Sequence, residues 1–359
     1  MILPNEFLIG VNYWPADKFV WAWREFDAGQ IYADFKKAKE FNLNLLRFFL
    51  FWEDFQPEPK IINKRQIANL NKVLEIADKL GIYVVPTIFV GHMSGPNWLP
   101  AWAMLSEEND TGKVFVTTGR ESRYKPRNLY TNGLILGAEK LLLSEVVKNT
   151  LHHKSIYAWD LSNEIDNIQA PTDQEAESWE KEMLKVVKEI DPNHPITHGV
   201  HIKERRGYGF PLKVMGLDDL VSVHSYPMYE GKEATDSDHV LGTINLAGVT
   251  KKPIILAEFG VATNPENKEE KIHLKWASRE WDQPFVTEES QASYLKETIQ
   301  KAKDAGCVAA LSWCWSDYNP KLFKALPFNY LIHERYFGLF RADGSPKPAA
   351  TALKSLAKE

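Results

Sequence analysis

The chain has 359 residues, of which 44% are hydrophobic and 25% charged, the balance of an ordinary globular protein with room for a large core. A net charge of -5 and a pI near 6.1 argue against a nucleic-acid partner or an anionic membrane surface. No window approaches eighteen uncharged apolar residues, so no membrane span is expected.

The N-terminus, MILPNEFLIGVNYW, has no basic n-region and no small-residue cleavage site, so no signal peptide is expected either. The two cysteines, Cys307 and Cys314, lie along one expected strand. Seven steps of strand span roughly 23 Å, beyond disulfide reach. They read as buried thiols of a reducing compartment, which places the protein in the cytoplasm.

Eight apolar runs of strand length follow in order: Phe7–Tyr13, Leu43–Phe51, Tyr83–Val90, Ile156–Asn163, Ile196–Ile202, Leu220–Tyr226, Pro253–Phe259 and Val308–Trp315. They are near-continuous rather than alternating, as parallel strands buried on both faces are. Segments with apolar residues at three- and four-residue steps lie between most of them: Gln30–Phe41, Arg65–Leu80, Gly137–Leu151, Glu175–Ile190, Ser237–Leu246 and Glu289–Ala305. Ala349–Ala357 closes the chain. Eight strands alternating with helices is the count of a (β/α)8 TIM barrel, and no repeat or linker divides residues 1–359, so a single domain is expected. Two connections are longer than a barrel needs: residues 91–131 after strand three and 316–347 after strand eight. Both would lie at the C-terminal face, where barrel active sites are built.

Strand ends carry the chemistry. Strand four ends in Asn163 and Glu164, and strand seven in Glu258, each a carboxylate that needs partners once desolvated. Two such acids are what cleavage of a glycosidic bond uses, one as proton donor and one as nucleophile. In a regular strand Asn163 and Glu164 would face opposite sides, so both can serve one site only if the strand ends or bulges there. Arg47, inside the apolar LLRFFLFW of strand two, needs a buried anion, and Glu258 is the candidate. Strand three runs into His92. Strand six offers His224 and Tyr226 on one face, and strand eight ends in Trp313 with Asp317 just beyond.

Together these positions resemble the clan A retaining glycoside hydrolases, and most of all glycoside hydrolase family five. The resemblance runs from GVNYW (Gly10–Trp14) to HERYFGLFRADGSPKP (His333–Pro348). It implies Glu164 as acid/base and Glu258 as nucleophile. Asn163 would bind the 2-hydroxyl of the sugar, Tyr226 would hydrogen-bond the nucleophile, and Trp313 would floor the subsite after a cis peptide bond to Cys314. His92, His224, Trp14 and Asp317 are expected to line the substrate. Ile165 stands where the family usually has Pro after its Asn-Glu pair, which departs from the family pattern without touching the chemistry.

The resemblance implies a retaining β-glycosidase acting on β-linked oligosaccharides, a β-mannosidase or β-mannanase before a β-glucosidase, β-galactosidase or cellulase, and exo-acting. A transglycosidase with the same site and a non-catalytic carbohydrate-binding barrel are the alternatives. About half of Trp14, Trp21, Trp23, Trp52, Trp98, Trp102, Trp281 and Trp315 are expected to be sugar-facing and the rest ordinary packing. His152–His153 reads as a partner of a helix C-terminus, and His198 and His201 face opposite sides of strand five. No metal or nucleotide motif occurs, so no cofactor is expected.

Overall fold

The computed structural model describes residues 6–356. The first five residues of MILPN and the last of the expected closing helix, Ala357, lie outside the described residues. Eight strands form one sheet: β1 (Leu8–Tyr13), β2 (Leu45–Phe51), β3 (Tyr83–Val90), β4 (Trp159–Asn163), β5 (Ile196–Gly199), β6 (Val221–His224), β7 (Ile254–Phe259) and β8 (Ala309–Ser312). Their order, β5-β4-β3-β2-β1-β8-β7-β6, follows the chain and joins through β1 and β8, with β5 and β6 as the outer strands. This is the nearly closed parallel barrel of a (β/α)8 fold. All but one strand residue is buried, Tyr83 alone being half-buried, as the unalternating runs imply.

The strands are shorter than the apolar runs. Val200–Ile202, Ser225–Tyr226 and Trp313–Trp315 lie past the regular strands, and registers shift near the C-terminal ends, between Thr197 and Gly199 and between Leu256 and Phe259. The residues freed there are those the sequence marks as chemical. The helices are α1 (Ala28–Glu40), α2 (Lys64–Leu80), α3 (Gly133–Thr150), α4 (Asp173–Ile190), α5 (Ser237–Ala247), α6 (Glu288–Asp304) and α7 (Pro348–Leu356). Two four-residue helices, Lys203–Arg206 and Leu212–Met215, fill the β5–β6 connection.

The chain divides into two compact units. In the first (49–221 and 250–252), β4 lies between β3 and β5, all parallel. Thr87 on β3 donates to Asp160 Oδ2 on β4 (2.7 Å), and the Gly199 N–H on β5 donates to Asp160 Oδ1 (2.9 Å), so one buried carboxylate ties three strands. α4 begins with a capping box between Thr172 and Glu175. Its Trp179 is fully buried, stacks on His198 at 5.0 Å and donates to Glu139 of α3 at 2.9 Å. Residues 91–131 are ordered by two small sheets, Asn97–Trp98 with Phe115–Thr117 and Arg120–Ser122, and Met104–Glu108 with Tyr124–Pro126. His153, expected to face a helix end, instead bonds Asp78 (2.6 Å) and Asn71 (3.1 Å), because a nearby carboxylate outbids the partial charge of a helix terminus.

In the second unit (6–48, 222–249 and 253–356), β1 pairs with β2 on one side and β8 on the other, and β7 pairs with β8. Both cysteines are buried and free, and burial pushes the Cys307 thiol up to about 12. The sequence reading missed an antiparallel hairpin between β7 and α6, Glu270–Trp276 with Arg279–Phe285. Its first arm alternates, with Ile272, Leu274 and Trp276 between Lys271, His273 and Lys275, but its turn at Ala277 lacks the Asn-Gly signal that announces a hairpin.

Gly260, just past β7, approaches the turn after β8 so closely that a Cβ would sit 2.4 Å from the Trp313 carbonyl oxygen. Gly137 inside α3 has nothing within 4 Å of its missing Cβ. In urea denaturation Gly260→Ala should therefore cost about 1–3 kcal/mol. Gly137→Ala should instead stabilise by up to ~1 kcal/mol.

Candidate active site

One cluster forms around Glu258, which lies on β7 one residue before its end and is 5% exposed. Arg47 of β2, 1% exposed, donates from Nη1 to Glu258 Oε1 at 2.5 Å and to Asn12 Oδ1 at 3.1 Å. Asn12 is in turn fixed by its amide, which donates to the carbonyls of Ala257 (2.7 Å) and Ser312 (3.3 Å). Tyr226 donates its hydroxyl to Glu258 Oε2 at 3.0 Å, and His224 Nδ1 stands 3.7 Å from the same oxygen. The two carboxylate oxygens thus have separate partners. The Arg47–Glu258 pairing and the Tyr226 bond are those expected from the sequence.

Trp313 follows β8, is buried, and its N–H donates to Phe259 O at 2.8 Å; the Trp313–Cys314 peptide is cis, as the family resemblance implies. Trp14 is buried after β1, with its ring 5.6 Å from Phe19. Asp317 is engaged within its own loop: Oδ1 accepts from Lys347 Nζ at 2.7 Å and from the Gly338 N–H at 2.9 Å. Burial raises its carboxyl to about 6 even against the attraction of Lys347. An aromatic path leads outward from Tyr226. Tyr226 contacts Tyr229 (5.8 Å) and Phe337 (6.3 Å), Phe337 contacts His333 (6.1 Å), and His333 meets Trp281 of the hairpin (6.1 Å). His333 is buried and pushed down to about 3, and its Nε2 shares a hydrogen bond with the Tyr229 hydroxyl at 3.1 Å.

The other cluster forms around Glu164, which follows the last residue of β4. Its backbone is left-handed (φ 47°, ψ 43°) and it caps the short helix Ile165–Ile168. A non-glycine residue there is strained by order 1–3 kcal/mol. The turn resolves the alternation problem, because both side chains now converge on His92. The Asn163 amide donates to His92 O at 2.9 Å, and Glu164 Oε2 lies 3.7 Å from His92 Nε2. Asn167 donates to Glu164 Oε2 at 2.7 Å, while Glu164 Oε1 faces His201 Nε2 at 3.3 Å. His201 Nδ1 pairs with Asp166 Oδ2 at 2.9 Å.

The two histidines differ in charge. His92 is lowered by burial against the pull of Glu164, and its Nδ1 meets the Asn97 carbonyl oxygen at 2.8 Å, which fixes the proton there and leaves Nε2 unprotonated. Burial would also lower His201, but Asp166 and Glu164 together carry it well above its ordinary value, so it is an imidazolium. The sequence reading set His201 aside on strand alternation. Because β5 ends at Gly199, that alternation does not reach it. The available signal was Asp166 two residues past Glu164, a buried acid in need of a cation.

Of the eight tryptophans in or near loops, Trp14, Trp23, Trp52, Trp98 and Trp315 are buried packing residues, while Trp21, Trp102 and Trp281 are half-buried. Among the described residues no helix is long and apolar enough to cross a membrane.

The barrel is that of the clan A glycoside hydrolases. The family model for glycosyl hydrolases family 2, TIM barrel domain, matches residues 66–359, and the chain belongs to that family. The clan-level resemblance seen in the sequence holds; the matching model carries the family 2 name where the sequence motifs point to family five. Among solved structures, a GH5_18 protein from Streptomyces cattleya in complex with Manβ1-4GlcNAc is 21% identical, with a TM-score of 0.79 over 98% of this chain and 80% of that one. An exo-β-1,4-mannosidase from Opitutaceae bacterium strain TAV5 is 20% identical, with a TM-score of 0.80 over 100% of this chain and 62% of that one. A mannan endo-1,4-β-mannosidase of Oryza sativa subsp. japonica is 25% identical over 277 residues, 65% of this chain and 60% of the relative. The chain spans less than two thirds of the length of the curated relatives it matches.

The buried pair makes a stability prediction. Arg47→Met leaves Glu258 without its cation and should cost about 3–5 kcal/mol in chemical denaturation. The double variant Arg47→Met/Glu258→Gln should recover much of that loss; a double variant no more stable than the single one would show that the pair is not what Arg47 serves.

Proposed function

We propose that this protein is a retaining β-glycosidase that removes β-linked mannosyl residues from the ends of short oligosaccharides. The observation that carries the reading is the Arg47–Glu258–Tyr226 network: a carboxylate buried at a barrel strand end and held by a cation on one oxygen and a phenol on the other. Such surroundings suit a nucleophile that must be charged before substrate arrives. Family membership and the fold shared with mannoside-related structures support the substrate class.

In the first step a Glu258 oxygen attacks the anomeric carbon and the bond to the leaving oxygen breaks, while Glu164 gives that oxygen its proton. Tyr226 releases its hydrogen bond as charge leaves Glu258. In the second step Glu164, now a carboxylate, takes a proton from water as the water displaces Glu258 and restores free enzyme. Asn163, anchored on His92, holds the sugar 2-hydroxyl, and Trp313 forms the apolar floor. His92 and His224 are assigned to substrate binding, each beside its own carboxylate. The role assigned to Asp317 is to hold the 316–347 loop through Lys347. The length of the 91–131 and 316–347 connections favours an exo mode, which restricts the substrate to chain ends.

Glu258→Ala should lower hydrolysis by several orders of magnitude with every leaving group. Glu164→Ala should lose turnover of unactivated mannosides but keep the first step on an activated aryl β-mannoside, and azide should then restore turnover and give the β-glycosyl azide. Glu258→Ala with azide should give the α anomer; reversed anomers would reverse the two assignments. On polymeric mannan, monosaccharide should dominate the early products. Random mid-chain cleavage would refute the exo mode, and a panel of chromogenic β-glycosides turned over best as another sugar would refute the mannoside assignment.

A further inference from the structure

We propose that His201, locked by Asp166, is a positioning residue that dictates which oxygen of Glu164 carries the mobile proton. The inference rests on the acid/base role given to Glu164 above. Glu164 Oε1 faces His201 Nε2 at 3.3 Å, and His201 Nδ1 is held by Asp166 Oδ2 at 2.9 Å. Asp166 Oδ2 also accepts the His201 backbone N–H at 3.2 Å, so ring and main chain of His201 are fixed by one buried carboxylate. Gly209 closes over the pair: its φ is +111° and a Cβ would lie 2.2 Å from His201 O and 3.1 Å from Asp166 Oδ2. The ring has little room to turn.

With both ring nitrogens protonated, His201 donates to Asp166 and to Glu164 Oε1. A proton on that oxygen would meet an N–H head-on, so the Glu164 proton is confined to Oε2. Oε2 has surroundings that tolerate it. Asn167 donates to one lone pair at 2.7 Å, its amide orientation fixed by the Tyr208 hydroxyl donating to Oδ1 at 3.3 Å, and the nearest histidine nitrogen, His92 Nε2 at 3.7 Å, bears no proton. The carboxyl therefore presents its proton from one oxygen in one rotamer. After transfer to the leaving oxygen, both oxygens of the carboxylate keep an N–H donor, His201 on Oε1 and Asn167 on Oε2, and Oε2 recovers the proton from water in the second step. The charged and titratable groups facing His201 are Asp166, Glu164, His92 and Tyr208, with Arg206 stacked on the Tyr208 ring at 5.5 Å.

The test compares His201→Gln, Asp166→Asn and Glu164→Gln with wild type, on an activated aryl β-mannoside and on β-1,4-mannobiose, with folding checked by circular dichroism. His201→Gln keeps a donor near Oε1 but removes the charge. Its kcat on the disaccharide should fall roughly a hundredfold with KM little changed, while the aryl substrate is spared in the first step. The alkaline limb of its kcat/KM profile should move up by at least about one pH unit, because loss of the cation makes Glu164 hold its proton longer. Asp166→Asn, which keeps the ring but removes what makes it a cation, should move the limb in the same direction and remains the readout should His201→Gln fail to fold. An unmoved limb in the folded variants, with equal losses on both substrates, would overturn the positioning role while leaving Glu164 as acid/base. Wild-type turnover of the disaccharide by Glu164→Gln would instead overturn the role of Glu164, and this inference with it.

Discussion

A buried ion pair, Arg47 with Glu258, is the constraint on which the second unit is organised. Each charge alone would cost several kcal/mol to bury, and the pair is tolerable only with close geometry and with the remaining polar groups satisfied. The surroundings supply both. Asn12 accepts from the guanidinium and donates to the carbonyls beside β7 and β8, so the side chain that steadies Arg47 also ties down the strands on which the site is built. Tyr226 takes the second carboxylate oxygen. Packing alone would favour apolar residues at these positions. Their presence makes sense as the preparation of a charge.

The first unit meets a different demand. In the acid/base role proposed for it, Glu164 would exist in two protonation states, and its partners fit both: a histidine lowered by burial beside one oxygen and one raised by carboxylates beside the other. The strained left-handed turn at Glu164 makes this possible, since a continued strand would have sent the side chain away from Asn163. Lys113 of the 91–131 excursion donates to the carbonyls of Asn167 (2.7 Å) and Ile168 (3.1 Å), satisfying the end of the four-residue helix that follows the turn. A cationic loop residue thus steadies a helix too short to stand alone.

Much of this was legible in the sequence, and for identifiable reasons. Parallel strands buried on both faces leave long apolar runs, so all eight were found, and β3 to the residue. An arginine inside such a run has to find an anion, which made the Arg47–Glu258 pairing readable from burial cost alone. Strand ends were read too long because apolarity continues into rim residues past the regular register, as at Trp313–Trp315, where single N–H groups still bond Phe259 and Asn12. The Glu270–Phe285 hairpin was missed for want of a glycine or asparagine at its turn. His201 was missed because strand alternation was carried past Gly199, where the chain no longer obeys it. In each case a local rule was applied beyond the backbone geometry that justifies it.

The two histidines beside Glu164 show how far sequence falls short of electrostatics. His201 is buried and His92 half-buried, and withdrawal from water alone disfavours the charged form of each. What separates them is the partner on Nδ1. An amide oxygen, from Asn97, fixes a tautomer without contributing net charge, whereas a carboxylate, from Asp166, fixes the ring and stabilises the imidazolium. Neither partner is identifiable by spacing. Asn97 comes from a small sheet inside the 91–131 excursion, and Asp166 from the helix that the strained turn starts. The long excursion and the strain therefore have a common consequence: they bring an amide to one histidine and a carboxylate to the other, and the difference between those two groups gives the two oxygens of Glu164 unlike surroundings.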